Sequence, residues 1–230
     1  MIGGFPHRPE DSFFHHAIEQ LWTTTGAKVV TTQFTFGGFP VTRVPKHLKA
    51  RCLDARPDVV VIQFGSSDLV VPLRPNHDRS GHLVHRAVSD AMPGMMDWCR
   101  WQFQGLIGDL RQLKPVTPVE EYLQTMEKMT RAMLENGIVP VVMSPFVFGA
   151  GRSDWMARTA ARRLQTMITA LPGAVYVDAY AALARHPRRQ MLLRDGTHLS
   201  LAGHRVVAET LRPHLQTVLQ NWKKSEADAD

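Results

Sequence analysis

Short apolar, β-branched runs alternate with segments of helical periodicity along most of this chain. Four runs, Lys28 to Phe34, Asp58 to Phe64, Ile138 to Ser144 and Ala174 to Val177, read as strands, each closely followed by polar, Gly or Pro residues. Between them the spacing predicts helices over Glu10 to Thr24, Pro45 to Ala55, Thr117 to Asn136, Asp154 to Ala170 and Ser200 to Trp222. The third is best marked. Thr117-Pro118-Val119-Glu120 offers an N-cap, a first-turn Pro and a capping-box Glu, and Asn136-Gly137 offers a stop. Pro213 is expected to kink or break the last helix. Strands alternating with helices predict an α/β fold with a mostly parallel sheet.

One domain is expected over residues 1–222, followed by a polar tail at 223–230. A helical excursion at about 69–114 is long for a connection and must hold structure of its own. Met95, Met96, Trp98 and Trp101 crowd its second half, either as an apolar wall over a substrate site or as residues that pack the excursion onto the domain. Trp22, Trp155 and Trp222 read as core or edge packing residues.

Composition changes this picture little. Of 230 residues 44% are hydrophobic and 21% charged, ordinary for a folded soluble domain. A formal charge of +6 raises the question of an acidic partner. The basic residues are scattered, apart from small clusters at Arg158, Arg162, Arg163 and at Arg185, Arg188, Arg189. No nucleic-acid motif frames them, so no nucleic-acid partner is expected. Cys52 and Cys99 are too few for a disulfide framework and lack metal-ligand spacing, so both read as buried thiols. His15 and His16 are helix neighbours that point to different faces, and no metal site is expected. No run reaches the roughly 18 apolar residues that span a bilayer. The N-terminus lacks a basic region followed by a hydrophobic one, so the chain as written reads as cytoplasmic.

The chemistry concentrates late, at Asp195-Gly196-Thr197-His198, just ahead of a helix. An Asp three residues before a His can set its carboxylate beside one imidazole nitrogen and leave the other as a general base. In open α/β sheets ligands bind beyond the carboxyl ends of the strands. Two further blocks follow strands: Thr35-Phe36-Gly37-Gly38-Phe39-Pro40 and Gly65-Ser66-Ser67-Asp68.

These blocks, in this order, resemble the SGNH, or GDSL-like, hydrolase superfamily over nearly the whole chain. The resemblance implies a flavodoxin-like three-layer α/β sandwich, Asp195 as the orienting acid and His198 as the base. It implies that Gly38, or Gly37, offers a backbone N–H to an oxyanion, and that Gly65, Ser66, Ser67 and Asp68 form the block written Gly-x-Asn-Asp in the family. Ser67 stands at the Asn of that block, and a hydroxyl is shorter than an amide and has one donor instead of two. The substrate implied is a small-molecule ester or O-acyl group, with no metal or organic cofactor.

One block is missing: no Gly-Asp-Ser nucleophile motif is present. The segment Pro9-Glu10-Asp11-Ser12-Phe13 resembles one that lies some residues after that motif, which sets Met1 directly after the nucleophile. The Ser and its strand are therefore expected upstream of residue 1, with the first central strand absent from the sheet. Its neighbours would keep unpaired ladders, at about 1 to 3 kcal/mol for each buried group. Ser12 reads as a helix N-terminus, Ser66 as a loop residue and Ser144 as a strand-to-loop turn, and none is expected to replace the nucleophile. His204 is expected to pack or solvate. The leading reading is an esterase or O-acyl hydrolase of Ser-His-Asp type, inactive as given. The alternative is a catalytically dead SGNH-like binding module.

Overall fold

The valine-rich run after Asp58 forms a strand because its branched side chains have apolar layers to enter on both faces. A computed structural model describes residues 8–25, 29–34, 40–69, 115–146, 151–193 and 198–227. In it β1 is Val59–Gln63, β2 Val139–Met143 and β3 Val175–Val177. All pair in parallel in the order β1-β2-β3, with Val59 opposite Val139 and Val141 opposite Val175.

Helix α1 (Phe13–Thr25) and α2 (Pro45–Arg51) precede β1. Helix α3 (Val119–Glu135) leads to β2, α4 (Gly151–Thr169) to β3, and α5 (Ala179–Ala184), α6 (Arg188–Met191) and α7 (Leu201–Ala227) follow. The core lies in two sheets of side chains. Ile62 and Val142 meet Met126 and Met129 of α3 and Leu164 of α4 on one face. Val141, Met143 and Val177 meet Ala17 and Leu21 of α1 and Val207 and Leu211 of α7 on the other. This is the expected three-layer α/β sandwich with a parallel sheet.

Pro140 is tolerated inside the middle strand for a local reason. The Val139 N–H is turned toward β1, where it donates to the Asp58 carbonyl at 2.9 Å. The Pro140 nitrogen therefore faces the β3 side, and pairing there starts only at Val141.

Several expectations are corrected. Val29 to Phe34, expected as a strand, forms neither strand nor helix among the described residues, since the one sheet described there pairs only β1, β2 and β3. The capping box at Thr117 does not form: Pro118 occupies the N-cap position, the Thr117 hydroxyl donates to Asp68, and Glu120 pairs with Arg163. The stretch expected as one helix to Ala55 breaks at Cys52 into α2 and a 3₁₀ turn, Leu53–Ala55. Helix α7 runs through Pro213 without a break. Pro213 is exposed, so the ring and the carbonyl it leaves unpaired both face water. Trp22 and Trp155 are exposed, at 62% and 57%, and not core residues. Cys52 is half-buried, and burial pushes its thiol up. The bulk of the excursion, residues 70–114, and with it Cys99, lies outside the described residues.

Half-burial on α7 holds the His214 imidazole below its ordinary pKa, because desolvation disfavours the charged ring. A group depressed in the folded state contributes stability that is complete above its unfolded pKa and lost as pH falls through the folded one. The urea midpoint is therefore expected to fall more steeply between about pH 7 and pH 5 in the parent than in His214→Gln. Chemical denaturation at both pH values reads this directly.

Candidate active site

The carboxyl ends of β1, β2 and β3 open onto three loops, and the sequence puts tight turns there. After β1 the chain reverses at Gly65, which is buried with φ +109°, a backbone angle that side-chain-bearing residues rarely adopt. A Cβ at this position would lie 2.6 Å from the Cβ of Pro145, so the β1 and β2 loops cross in contact. The Leu69 N–H closes the turn on the Gly65 carbonyl at 3.1 Å. Ser66 Oγ accepts from Gln63 Nε2 at 3.3 Å, and Ser67 is exposed at the tip.

Asp68 turns the other way. Its side chain is buried, and one oxygen accepts from the Val41 N–H and from the Thr117 hydroxyl, both at 2.7 Å. Its carbonyl takes the Thr117 N–H at 2.9 Å. Asp68 therefore ties the turn after Gly38 to the β1 loop and to the entry of α3; the structure gives it a clamping position and no exposed face. Desolvation, followed by the charge of Asp68, pushes the buried Tyr122 phenol far up, and that hydroxyl donates to the Phe64 carbonyl at 3.2 Å. Asp68→Ala is expected to lower stability by about 3 kcal/mol, because two buried donors lose a charged acceptor. Asp68→Asn, which keeps an acceptor oxygen, is expected to lose about half as much, measured by urea unfolding.

His198 is half-buried on a loop whose base is tightly pinned. Leu192 and Leu199 form an antiparallel bridge, the Leu193 N–H donates to the His198 carbonyl at 2.8 Å, and the Ser200 N–H to the Met191 carbonyl at 2.9 Å. Ser200 caps α7: its Oγ accepts from the Gly203 N–H at 3.1 Å while its hydroxyl donates to the Gln190 carbonyl. Gly203 lets this first turn press on α6, where a Cβ would meet the Met191 carbonyl at 2.2 Å. The loop is thus fixed at both ends. Asp195 and Gly38 lie outside the described residues.

The serines near this rim have structural partners. Ser12 Oγ accepts from the His15 N–H at 3.2 Å as the N-cap of α1. Ser144 Oγ is buried and accepts from the Tyr180 N–H at 2.7 Å.

Of two further groups at the rim, His204 packs, one of the two outcomes expected of it, and Asp154 was not singled out as a site residue by sequence reasoning. His204 is buried, its Nδ1 accepts from the Phe13 N–H at 3.2 Å, and its ring stacks on Phe13 at 6.0 Å. It joins the start of α1 to the start of α7. Asp154 takes a 2.7 Å hydrogen bond from the Tyr180 hydroxyl and a 2.8 Å contact from Arg158, beside Arg188. Desolvation lowers the Arg188 guanidinium to about 9 against the opposing charge of Asp154. The i, i+4 spacing of Asp154 and Arg158 was legible, but the approach of Tyr180 and Arg188 is made by tertiary packing. Among the described residues no cluster of three or more potential metal ligands forms, and no helix is long and apolar enough to cross a membrane.

The model of the GDSL-like lipase/acylhydrolase family matches residues 3–206. Among solved structures, an acetylxylan esterase from Geobacillus stearothermophilus is similar at TM-score 0.59 and 17% identity, with 87% of this chain and 78% of that one covered. Catalytic mutants of that esterase replace a serine, an aspartate and a histidine, the last two three residues apart. A G-D-S-L family protein from Desulfitobacterium hafniense DCB-2 is similar at TM-score 0.57 and 14% identity, over 93% of this chain and 95% of that one. No curated protein matches in sequence.

Proposed function

The chain belongs to the GDSL-like lipase/acylhydrolase family, and on that premise we propose that it is the acid-base and oxyanion portion of an esterase or O-acyl hydrolase. The observation that carries this reading is the pinned loop of His198, held by the Leu192–Leu199 bridge directly ahead of a capped helix. A base serves proton transfer only when its position is fixed relative to nucleophile and substrate.

In this reading a serine hydroxyl, borne on a strand encoded ahead of residue 1, attacks the acyl carbon. His198 takes its proton and returns it to the departing alcohol oxygen. Asp195 holds the imidazole tautomer and stabilises the imidazolium. The Gly38 N–H, with Ser67, binds the oxyanion. Water then attacks the acyl-enzyme with His198 again as base, releasing the carboxylic acid. The single hydroxyl donor of Ser67 predicts a modest turnover, since one oxyanion donor is worth about 10² to 10³ in rate. The fold neighbour favours a short acyl group on a carbohydrate as the first substrate class to assay.

The test is turnover of p-nitrophenyl acetate and of acetylated xylo-oligosaccharides by protein expressed from the upstream-extended reading frame. Mass spectrometry is expected to find one serine of the added segment acylated. Acylation of a described serine, or turnover equal in the 230-residue chain, would refute it. Absence of both turnover and acylation would favour a binding module.

A further inference from the structure

Helices α1 and α7 lie together on one face of the sheet, where Ala17 and Leu21 pack on Val207 and Leu211. Such apolar contact is non-directional, so it holds two helices together without fixing how far one slides along the other. Arg212 also donates to Gln20 at 3.1 Å, but both side chains are long enough to follow a shift. At the starts of the two helices the contact is of another kind. Phe13 is the first residue of α1, and its N–H is one of the donors that a helix leaves without an intrahelical partner. His204 Nδ1, 191 residues away in the chain, accepts it at 3.2 Å. The imidazole is 4% exposed and lies within 12° of parallel to the Phe13 ring, which in turn packs edge-on against Phe146 just past β2.

From His204 the restraint runs directly to the candidate base. The His204 N–H donates to the Ser200 carbonyl at 2.9 Å, the Gly203 N–H to Ser200 Oγ at 3.1 Å, and the Ser200 N–H to the Met191 carbonyl at 2.9 Å. The Leu192–Leu199 bridge and the Leu193 N–H on the His198 carbonyl complete the path. Every link is a short bond within the backbone or a cap.

We infer that His204 is a positioning residue: its neutral imidazole, through Nδ1, locks the start of α1 to the turn that carries His198. The role rests on the hydrolytic reading, in which α1 follows the nucleophile, so that this lock sets the distance between nucleophile and base. A ring nitrogen that accepts an N–H carries no hydrogen of its own, which puts the hydrogen of the neutral ring on Nε2. The chemistry required is narrow: an acceptor one bond beyond Cγ. Phenylalanine keeps the ring and the stack without the acceptor. Asparagine keeps an acceptor oxygen one bond beyond Cγ and gives up the stack.

Two measurements test the lock. In the 230-residue chain, nitrogen NMR is expected to find His204 as the Nε2–H tautomer, a result that needs no variant. Exchange of the Phe13 amide is expected to quicken by at least about tenfold in His204→Phe and to stay near the parent rate in His204→Asn, with the Leu193 and Ser200 amide signals moving in the same order. In the upstream-extended protein His204→Phe is expected to lower kcat for p-nitrophenyl acetate by about 10- to 10²-fold with KM within about twofold, since a misplacement of order 1 Å costs up to that much. His204→Asn is expected to recover kcat to within about fivefold of the parent, although it removes more packing. A merely structural role predicts the reverse order, with asparagine the worse. An Nδ1–H tautomer, unmoved Leu193 and Ser200 signals in His204→Phe, or kcat no higher in His204→Asn than in His204→Phe overturns the proposal. If the extended parent shows no turnover the hydrolytic reading fails, while the tautomer and the amide signals still decide the lock.

Discussion

Alanine at His198 is expected to lower kcat/KM for p-nitrophenyl acetate by about 10⁴-fold or more in the protein that carries its nucleophile. Without the imidazole the serine hydroxyl keeps its proton, and the leaving alkoxide has no donor. The loop itself should survive, because its hydrogen bonds run through the backbone: the Leu193 N–H to the carbonyl of residue 198, and the Ser200 N–H to the Met191 carbonyl. Urea unfolding is therefore expected to change by less than about 1 kcal/mol. Adding Asp195→Asn should lower the rate little further, since the two groups act as one unit. A tenfold loss or less would remove His198 from the role of base, and a large loss of stability would reassign it to the fold.

Gly203→Ala is expected to have the largest effect on stability. Its Cβ would sit 2.2 Å from the Met191 carbonyl oxygen and 3.2 Å from Leu199 Cδ2. The nearer atom is backbone and cannot rotate away, so either α6 or the first turn of α7 must move. About 3 kcal/mol or more should be lost, toward the upper end for overpacking a filled site. Activity should fall as well, by about 10²-fold, because a shift of order 1 Å at the start of α7 displaces the His198 loop. Gly137→Ala separates space from backbone conformation. That site is open, with nothing within 4 Å, and only its φ of +73° resists a side chain. Its cost is expected near 1 kcal/mol, without loss of activity. Parallel urea titrations and initial rates on the three proteins check both statements.

Hydrophobic patterning located three strands to within a residue or so, because each lies between two apolar layers and shows as a short valine-rich run. It failed at Val29 to Phe34, a run of strand composition that joins no ladder among the described residues, because composition gives a run its propensity and only a neighbouring strand gives it hydrogen-bond partners. The Thr117 capping box failed differently. Local spacing fitted a cap, but a carboxylate 49 residues away competes for the hydroxyl, and a buried charged acceptor is the stronger partner. Asp68 itself was legible as part of a block and not as a clamp, since its direction is set by Val41 and Thr117 arriving from elsewhere.

The sequence by itself determined the α/β class, the strand and helix order, and the Asp195 to His198 block ahead of a helix, because these rest on periodicity and on spacings of a few residues. Only the tertiary structure decided the pinning of the His198 loop against α6, the inward turn of Asp68 and the seat of His204 on Phe13. Each of these is a meeting of segments distant along the chain or in close backbone contact. Such meetings are fixed by packing and by the demand of buried polar groups for partners, which no local pattern encodes.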